Sequence, residues 1–321
     1  MILKPEEMSF ADKKFSMIIY GPPGVGKTTL ALSAPSPILI DFDRGVSRVK
    51  AYHRKATIMC DKYEEIRKDI ESPEMSEFET IIIDTGGSFV TNLQEWAMRT
   101  NPTANKQKNG AISQKGFGAV KQEFTNFSNH IRDNLNKNVI FLFHSVEEKD
   151  KDGNPIQRLL CEGAARNIVW QPCDFGGFVQ MIGTDRVISF TPSQEYFAKG
   201  CYGIEGTRPI PTIGATDRND FLTKLFDEAR ANINAENEAF APMREKYDAV
   251  MEQAREIISS VQTVDDANKA LNDIPALDHA LTSKKETSAM LKTKTDELGF
   301  KFDKSTKQYI APAPIQTDEV Q

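Results

Sequence analysis

The chain is poor in the residues that build metal cages and covalent frameworks, with four cysteines and four histidines in 321 residues. Cys60, Cys161, Cys173 and Cys201 are widely spaced, with no C-x-x-C and no neighbouring histidine pair. That pattern argues against a zinc site and, in so large a chain, does not describe a disulfide framework. No apolar run reaches the length of a membrane-spanning helix. The segment from Met1 to Glu7 lacks the apolar centre of a signal peptide. The expectation is therefore a protein with free thiols in a reducing cytoplasm, with no membrane partner. Excess positive charge is missing too. A formal net charge of −6 argues against a generally basic nucleic-acid coat while leaving room for a local basic site.

What is present is concentrated near the N-terminus. Gly21-Pro22-Pro23-Gly24-Val25-Gly26-Lys27-Thr28 matches the phosphate-binding P-loop pattern G-x-x-x-x-G-K-S/T without a break. Its glycines let the backbone curl so that successive N–H groups point at phosphate oxygens. Lys27 reaches the β- and γ-phosphates, and Thr28 presents its hydroxyl to Mg²⁺. The apolar run Met17–Tyr20 before the loop fits a buried strand, and Thr29 continues into a helix whose N-terminus favours anions. Gly21 to Thr29 is thus the expected nucleotide-binding segment, with ATP and Mg²⁺ as ligands.

The length suits one large α/β domain and a smaller one. From about 15 to 215, apolar runs alternate with helical stretches, as parallel α/β units do. Strands are expected at Ile38–Ile40, Ala56–Cys60, Phe78–Asp84 and Asn138–His144, with a late pair at Arg186–Phe190 and Tyr196–Ala198. Helices are expected over Tyr63–Ile70 and over 117–136, where Phe117, Val120, Phe124, Phe127 and Ile131 share one face. From Phe221 glycine nearly disappears and helical periodicity takes over. Tyr247, Val250, Met251, Ala254, Ile257 and Ile258 fall on one helical face. Thr263-Val264-Asp265-Asp266 starts a further helix, and Gly299 stops the one over Leu277–Leu298. The expected organisation is a P-loop domain over 1–218, a helical C-terminal domain over 219–310 and a disordered tail over 311–321.

A P-loop needs a carboxylate to orient Mg²⁺ and a group to activate water. Asp84 closes the run Ile81-Ile82-Ile83, the Walker B position, where a strand-end carboxylate holds a metal-bound water. Many AAA+ ATPases place a glutamate directly after that aspartate, but Thr85 stands there in this chain. Leu39-Ile40-Asp41-Phe42-Asp43-Arg44-Gly45 instead resembles the RecA/RadA strand end I-D-x-E, with Asp43 where that family has its catalytic glutamate. The alternative is that Asp41 and Asp43 cap the following turn. Phe141-Leu142-Phe143-His144-Ser145 resembles the RecA sensor strand, with His144 in place of glutamine. A neutral imidazole there could bond phosphate or water, or His144 could be an internally satisfied structural residue.

Over about residues 15 to 215 the chain resembles the phage-encoded, RecA-core-only P-loop ATPases, often labelled AAA-family ATPases, to which the Sak-type recombination proteins belong. The resemblance implies a RecA-like α/β fold and Mg²⁺-dependent ATP hydrolysis. It also implies single-stranded DNA binding in phage recombination or replication, assembly into a ring or filament, and residence in the host cytoplasm. Two loops would face DNA in such a protein. Arg99 to Gly116 is polar, basic and free of acids, and Lys106, Lys108 and Lys115 could pair phosphates. Glu147–Pro155 is a mixed-charge turn that could equally be a solvated hairpin, and neither loop alternates basic and aromatic residues as base-stacking sites do. Lys199 and Arg208 are candidates for a cation supplied in trans to a neighbour's site. The C-terminal helices could form a lid or a partner module, so a loader or scaffold that binds a protein is the rival function. A small-molecule kinase fits poorly, because no arginine-rich lid or acceptor pocket is visible.

Overall fold

The computed structural model describes residues 10, 12–59, 61–161, 166 and 169–311. The expectations for the N-terminal segment, Cys60 and the tail beyond Ala311 lie outside the described residues. The apolar runs read as buried strands form the middle of one sheet. In chain order its early elements are β1 (Ser16–Gly21), α1 (Lys27–Ala31), β2 (Pro37–Asp41), β3 (Thr57–Met59), α2 (Tyr63–Asp69), β4 (Thr80–Asp84) and α3 (Gly86–Thr100). The chain continues through α4 (Pro102–Asn105), α5 (Gln114–Asn129), β5 (Asn138–Lys149), β6 (Pro155–Leu159), β7 (Phe175–Ile182), β8 (Asp185–Ser189) and β9 (Thr207–Pro209). The strand order is β3-β2-β4-β5-β1-β7-β8-β9, with β6 paired to β5. The first five strands and β7 run parallel, while β6, β8 and β9 add antiparallel pairings. This is the RecA-like α/β arrangement, with the Walker B strand β4 separated from the P-loop strand β1 by β5.

Every residue of β1 is buried, as are Ile81–Ile83 of β4 and Val139–Phe143 of β5. Continuous burial on both faces is what a parallel sheet covered by helices requires, so these strands are apolar throughout rather than alternating. One face packs against α2, α3 and α5 through Tyr63, Phe89, Phe124 and Phe127. On the other face lie Leu30, Phe190, Leu222 and Phe226. The spacing read over 117–136 buries Val120, Phe124, Phe127 and Ile131, with Phe117 partly buried.

The late strands need correction. Arg186–Phe190 corresponds to β8, but Tyr196–Ala198 is not a strand. Tyr196 makes a lone bridge to Gln157, and Lys199 another to Gly176. The real partners of β8 are β9 and β7. Gly176 and Gly177 hide β7 from a propensity reading. They are there because a Cβ at Gly176 would lie 2.1 Å from the Trp170 ring and one at Gly177 would lie 2.3 Å from Ile188. A similar crowding governs the end of β1, where a Cβ at Gly21 would lie 2.1 Å from the Val179 carbonyl oxygen of β7.

The helical region begins with α6 (Phe221–Ser259), followed by α7 (Val264–Asp273), α8 (Ser283–Glu297) and the hairpin β10 (Lys301–Asp303) and β11 (Gln308–Ile310). A division was expected at 218/219, but the two compact units part at Ile233/Asn234, inside α6. The cause is apolar burial, since Leu222, Leu225, Phe226, Ala229 and Ile233 belong to the core of the first unit. In the second unit Ile258, Val261, Ala267, Ile274 and Leu291 form a separate core. Thr263 and Asp266 make a reciprocal capping box that starts α7. Gly299, at φ 76°, follows α8 where a stop was expected.

Candidate nucleotide site

Sheet register assembles the site before any side chain is considered. Gly21 pairs with His144, Asp84 with Leu142, and Asp41 with Asp84, so the ends of β1, β5, β4 and β2 meet at one edge. That edge is the carboxyl end of parallel strands, where open α/β sheets place their ligands. A cavity of about 180 Å³ opens there, lined by Gly24, Gly26, Lys27, Thr28, Asp43, Asp84 and His144, together with Gly45, Arg48 and Thr85. The phosphate, metal and catalytic candidates of the sequence thus come together in one place.

Gly24 and Gly26 both sit at φ 80°, a conformation costly for any residue with a Cβ, and they shape the loop. Lys27 is buried. Its Nζ donates to the Gly21 and Pro22 carbonyls at 3.0 and 2.8 Å and stands 3.4 Å from His144 Nδ1. Burial pulls the Lys27 ammonium down to about 8, against the opposing field of Asp84. Burial also lowers His144, with Lys27 acting in the same direction. The imidazole is therefore neutral at pH 7, with Nδ1 free to accept from the lysine.

Thr28 Oγ1 donates to Asp84 Oδ2 at 2.7 Å. Burial raises the Asp84 carboxyl above its usual range, the Thr28 hydrogen bond opposes that, and Asp41 and Asp43 add like charge. Among the described residues no group of three or more His, Cys, Asp or Glu side chains forms a metal cage. Mg²⁺ does not need one, since it keeps waters and takes one or two protein oxygens beside substrate phosphates. A hydroxyl and a desolvated carboxylate already in contact suit it, and Thr28 and Asp84 are the residues that would hold it.

The two aspartates after β2 have separate fates. Asp41 is the turn cap, its carboxylate accepting from Gly45 N at 2.9 Å and Val46 N at 2.8 Å. Asp43 lines the cavity instead, with Oδ1 accepting from Ser88 Oγ at 2.6 Å. Thr85, standing where a Walker B glutamate would be, caps α3 by accepting from Ser88 N. Ser88 and Arg48 escaped the sequence reading, although the Thr85-to-Ser88 spacing of a helix start was visible.

The remaining candidates lie elsewhere. Lys106, Lys108 and Lys115 are exposed, in a segment ordered by α4 and a Lys106–Ile112 bridge. The 15 residues of α3 carry the chain back about 20 Å towards the opposite edge of the sheet. Lys199 donates to the Cys173 carbonyl, and Arg208 makes a bidentate pair with Glu228 at 2.6 and 2.9 Å. Glu147–Pro155 forms the exposed turn of the β5–β6 hairpin. Cys161, Cys173 and Cys201 are free thiols.

A larger cavity of about 620 Å³ adjoins the first, sharing Gly24, Gly26, Thr29 and Arg48. Val25, Met181, Ile210 and Ile213 line it with Lys50 and Arg186. Apolar walls with a few cations suit a nucleoside whose phosphates rest in the smaller cavity.

The charge of Lys27 gives a pH prediction. ATP binds the ammonium form, so protonation and binding favour each other. Affinity should hold below pH 8 and fall above it, by up to about tenfold per pH unit. Fluorescent-nucleotide titrations between pH 7 and 9.5 check this. A flat profile would show that burial does not tune Lys27.

A family model described as an AAA domain (AAA_24) matches residues 13–202. No curated protein matches. Among solved structures, the chain is similar to the flagellar accessory protein FlaH from Methanocaldococcus jannaschii, with 11% identity over 54% of this chain and 75% of that one and a TM-score of 0.29.

Proposed function

The chain belongs to the AAA domain family, and from that premise we propose that it is an ATPase whose nucleotide state controls binding of single-stranded DNA. The observation that carries the reading is the gathering of Lys27, Thr28, Asp43, Asp84 and His144 around one cavity at the ends of four strands. Lys27 and the loop N–H groups bind the phosphates. Thr28 and Asp84 would hold Mg²⁺, which would supply positive charge against the phosphates. Ser88 holds one oxygen of Asp43, leaving Oδ2 to orient water. The water oxygen bonds to the γ-phosphorus while the bond to the β,γ-bridging oxygen breaks. ADP keeps that electron pair, and the proton of the water passes to Asp43 and then to solvent. His144 bonds the γ-phosphate or the water through its neutral ring.

The DNA half draws support from a second cavity, of about 570 Å³, lined by Tyr20, Trp170, Phe197, Arg158 and Arg166 beside Glu148, Gln157 and Leu159. Its aromatics come from three distant stretches, so no local alternation announces them. Arg158 has no ion-pair partner among the described residues, whereas Arg166 pairs with Glu148 at 2.8 Å. The partly exposed rings of Trp170 and Phe197 beside the unpaired Arg158 suit an unpaired base and its phosphate, while Tyr20, fully buried, backs them. Tyr20 directly precedes Gly21, and β5 runs from His144 to Glu148, so both cavities share two strands. The setting implied by the sequence resemblance is phage recombination or replication, with assembly into a ring or filament.

Filter binding of a single-stranded oligonucleotide, with and without ATP across a salt series, tests the reading. Binding should require ATP and weaken steeply with salt. No binding at low salt in either state would favour the loader reading, which draws on the exposed Phe240 and Met243 of α6.

A further inference from the structure

We propose that Arg48 completes the nucleotide site in cis, contacting the phosphates of ATP bound to its own chain. The inference rests on the ATPase reading. RecA-like sites are expected to take a cation from a neighbouring subunit, yet this chain already places one at the cavity.

Arg48 ends a short turn, Val46–Arg48, directly after the aspartates of β2. It lines the phosphate cavity and the adjoining larger cavity, at their shared wall. Three other cations of the β2–β3 connection, Arg44, Lys50 and Arg54, are engaged elsewhere. Arg44 pairs with Asp61 at 3.0 Å, and Arg54 braces the turn by donating to the Val49 and Ser47 carbonyls. Lys50 lies over the Tyr52 ring. The Arg48 guanidinium has neither an ion pair nor a side-chain hydrogen bond among the described residues. Its charge also reaches the site, as the smallest influence on His144: burial and Lys27 lower that imidazole, Asp43 opposes them, and Arg48 lowers it further.

The backbone is built to hold it there. Asp41, 1% exposed, fixes the turn through the N–H groups of Gly45 and Val46. Gly45 leaves space for the guanidinium, because a Cβ there would lie 2.8 Å from Arg48 Nη2. Gly45 sits at φ −87°, which any residue adopts, so the absence of a side chain serves space and not backbone conformation. A guanidinium in this position donates to phosphate oxygens and stabilises the negative charge that accumulates as the bond to ADP breaks.

Steady-state ATP hydrolysis by Arg48→Ala should fall about 10³-fold in kcat, with KM for ATP changing much less. Arg48→Lys should recover only a small part, since an ammonium lacks the fork of donors. Gly45→Ala should lower kcat in the same direction while leaving the thermal melt unchanged, because it displaces only the end of a flexible side chain. Mixing Arg48→Ala with Lys27→Ala separates cis from trans: a cis residue gives no recovery, because neither chain holds a complete site. Recovery of activity in the mixture would overturn the proposal, as would a kcat for Arg48→Ala within threefold of wild type. If the wild-type chain itself hydrolyses no ATP, the ATPase reading fails instead.

Discussion

Lys27→Ala is expected to lower ATP hydrolysis by at least about 10³-fold and to weaken nucleotide binding, without unfolding the protein. The loss follows from two separate jobs done by one ammonium. Among the described residues it is the only lysine lining the phosphate cavity, and a preorganised cation is worth that much to a developing anion. It also ties the Gly21 and Pro22 carbonyls together, so alanine leaves the first half of the loop without its clamp. Fold stability should change little. The ammonium is held at a lowered pKa by burial, so its removal relieves a desolvation cost that offsets the two lost hydrogen bonds. Phosphate release with a parallel thermal melt reads both effects. Turnover within tenfold of wild type, with an unchanged melt, would remove Lys27 from the mechanism.

The second large effect is expected at Asp43. Asp43→Asn keeps the shape of the side chain and an oxygen that accepts from Ser88, so nucleotide affinity should stay within about threefold. What disappears is the carboxylate that orients water and takes its proton, a contribution of about 10²- to 10⁴-fold. Single-turnover hydrolysis beside equilibrium nucleotide binding separates the two quantities. Normal turnover would move the water-orienting role away from Asp43 and leave His144 as the polar group at the γ-phosphate. Asp41 is not an alternative base, because both its oxygens are occupied by the turn that follows.

The parts of this molecule that could be read from sequence are those where one local rule acts without competition. β1, β2, β4 and the first half of β5 are buried on both faces, so each carries an uninterrupted apolar run. The P-loop and Asp84 follow from those runs, since the chemistry sits at their ends. β7 could not be read, because Gly176 and Gly177 answer to the bulk of Trp170 and Ile188 in other elements. Tyr196–Ala198 misled for the converse reason: its aromatic residues serve tertiary contacts, with the Phe197 carbonyl accepting from Tyr20 and the Tyr196 ring stacked on Phe178. Residues at the end of β2 were visible as a pair of carboxylates, but their division of labour was not. Only the turn geometry assigns capping to Asp41 and the cavity to Asp43. Arg48 and Ser88 carry no periodicity and no motif, and they become functional candidates only when β2, β4 and β5 are set side by side. The boundary at 233/234 was hidden because α6 is one unbroken helix whose early turns serve the first unit's core.

The close approach of Gly21 to β7 changes how the phosphate-loop signature itself should be understood. At Gly24 and Gly26 the absent side chain serves the curl of the loop. At Gly21 it serves the neighbouring strand, which crowds that position before any nucleotide arrives. The eight-letter motif is therefore two constraints written in sequence, one on assembly and one on recognition. A chain that had given up ATP altogether would still be held to glycine at its first letter, long after Lys27 was free to drift.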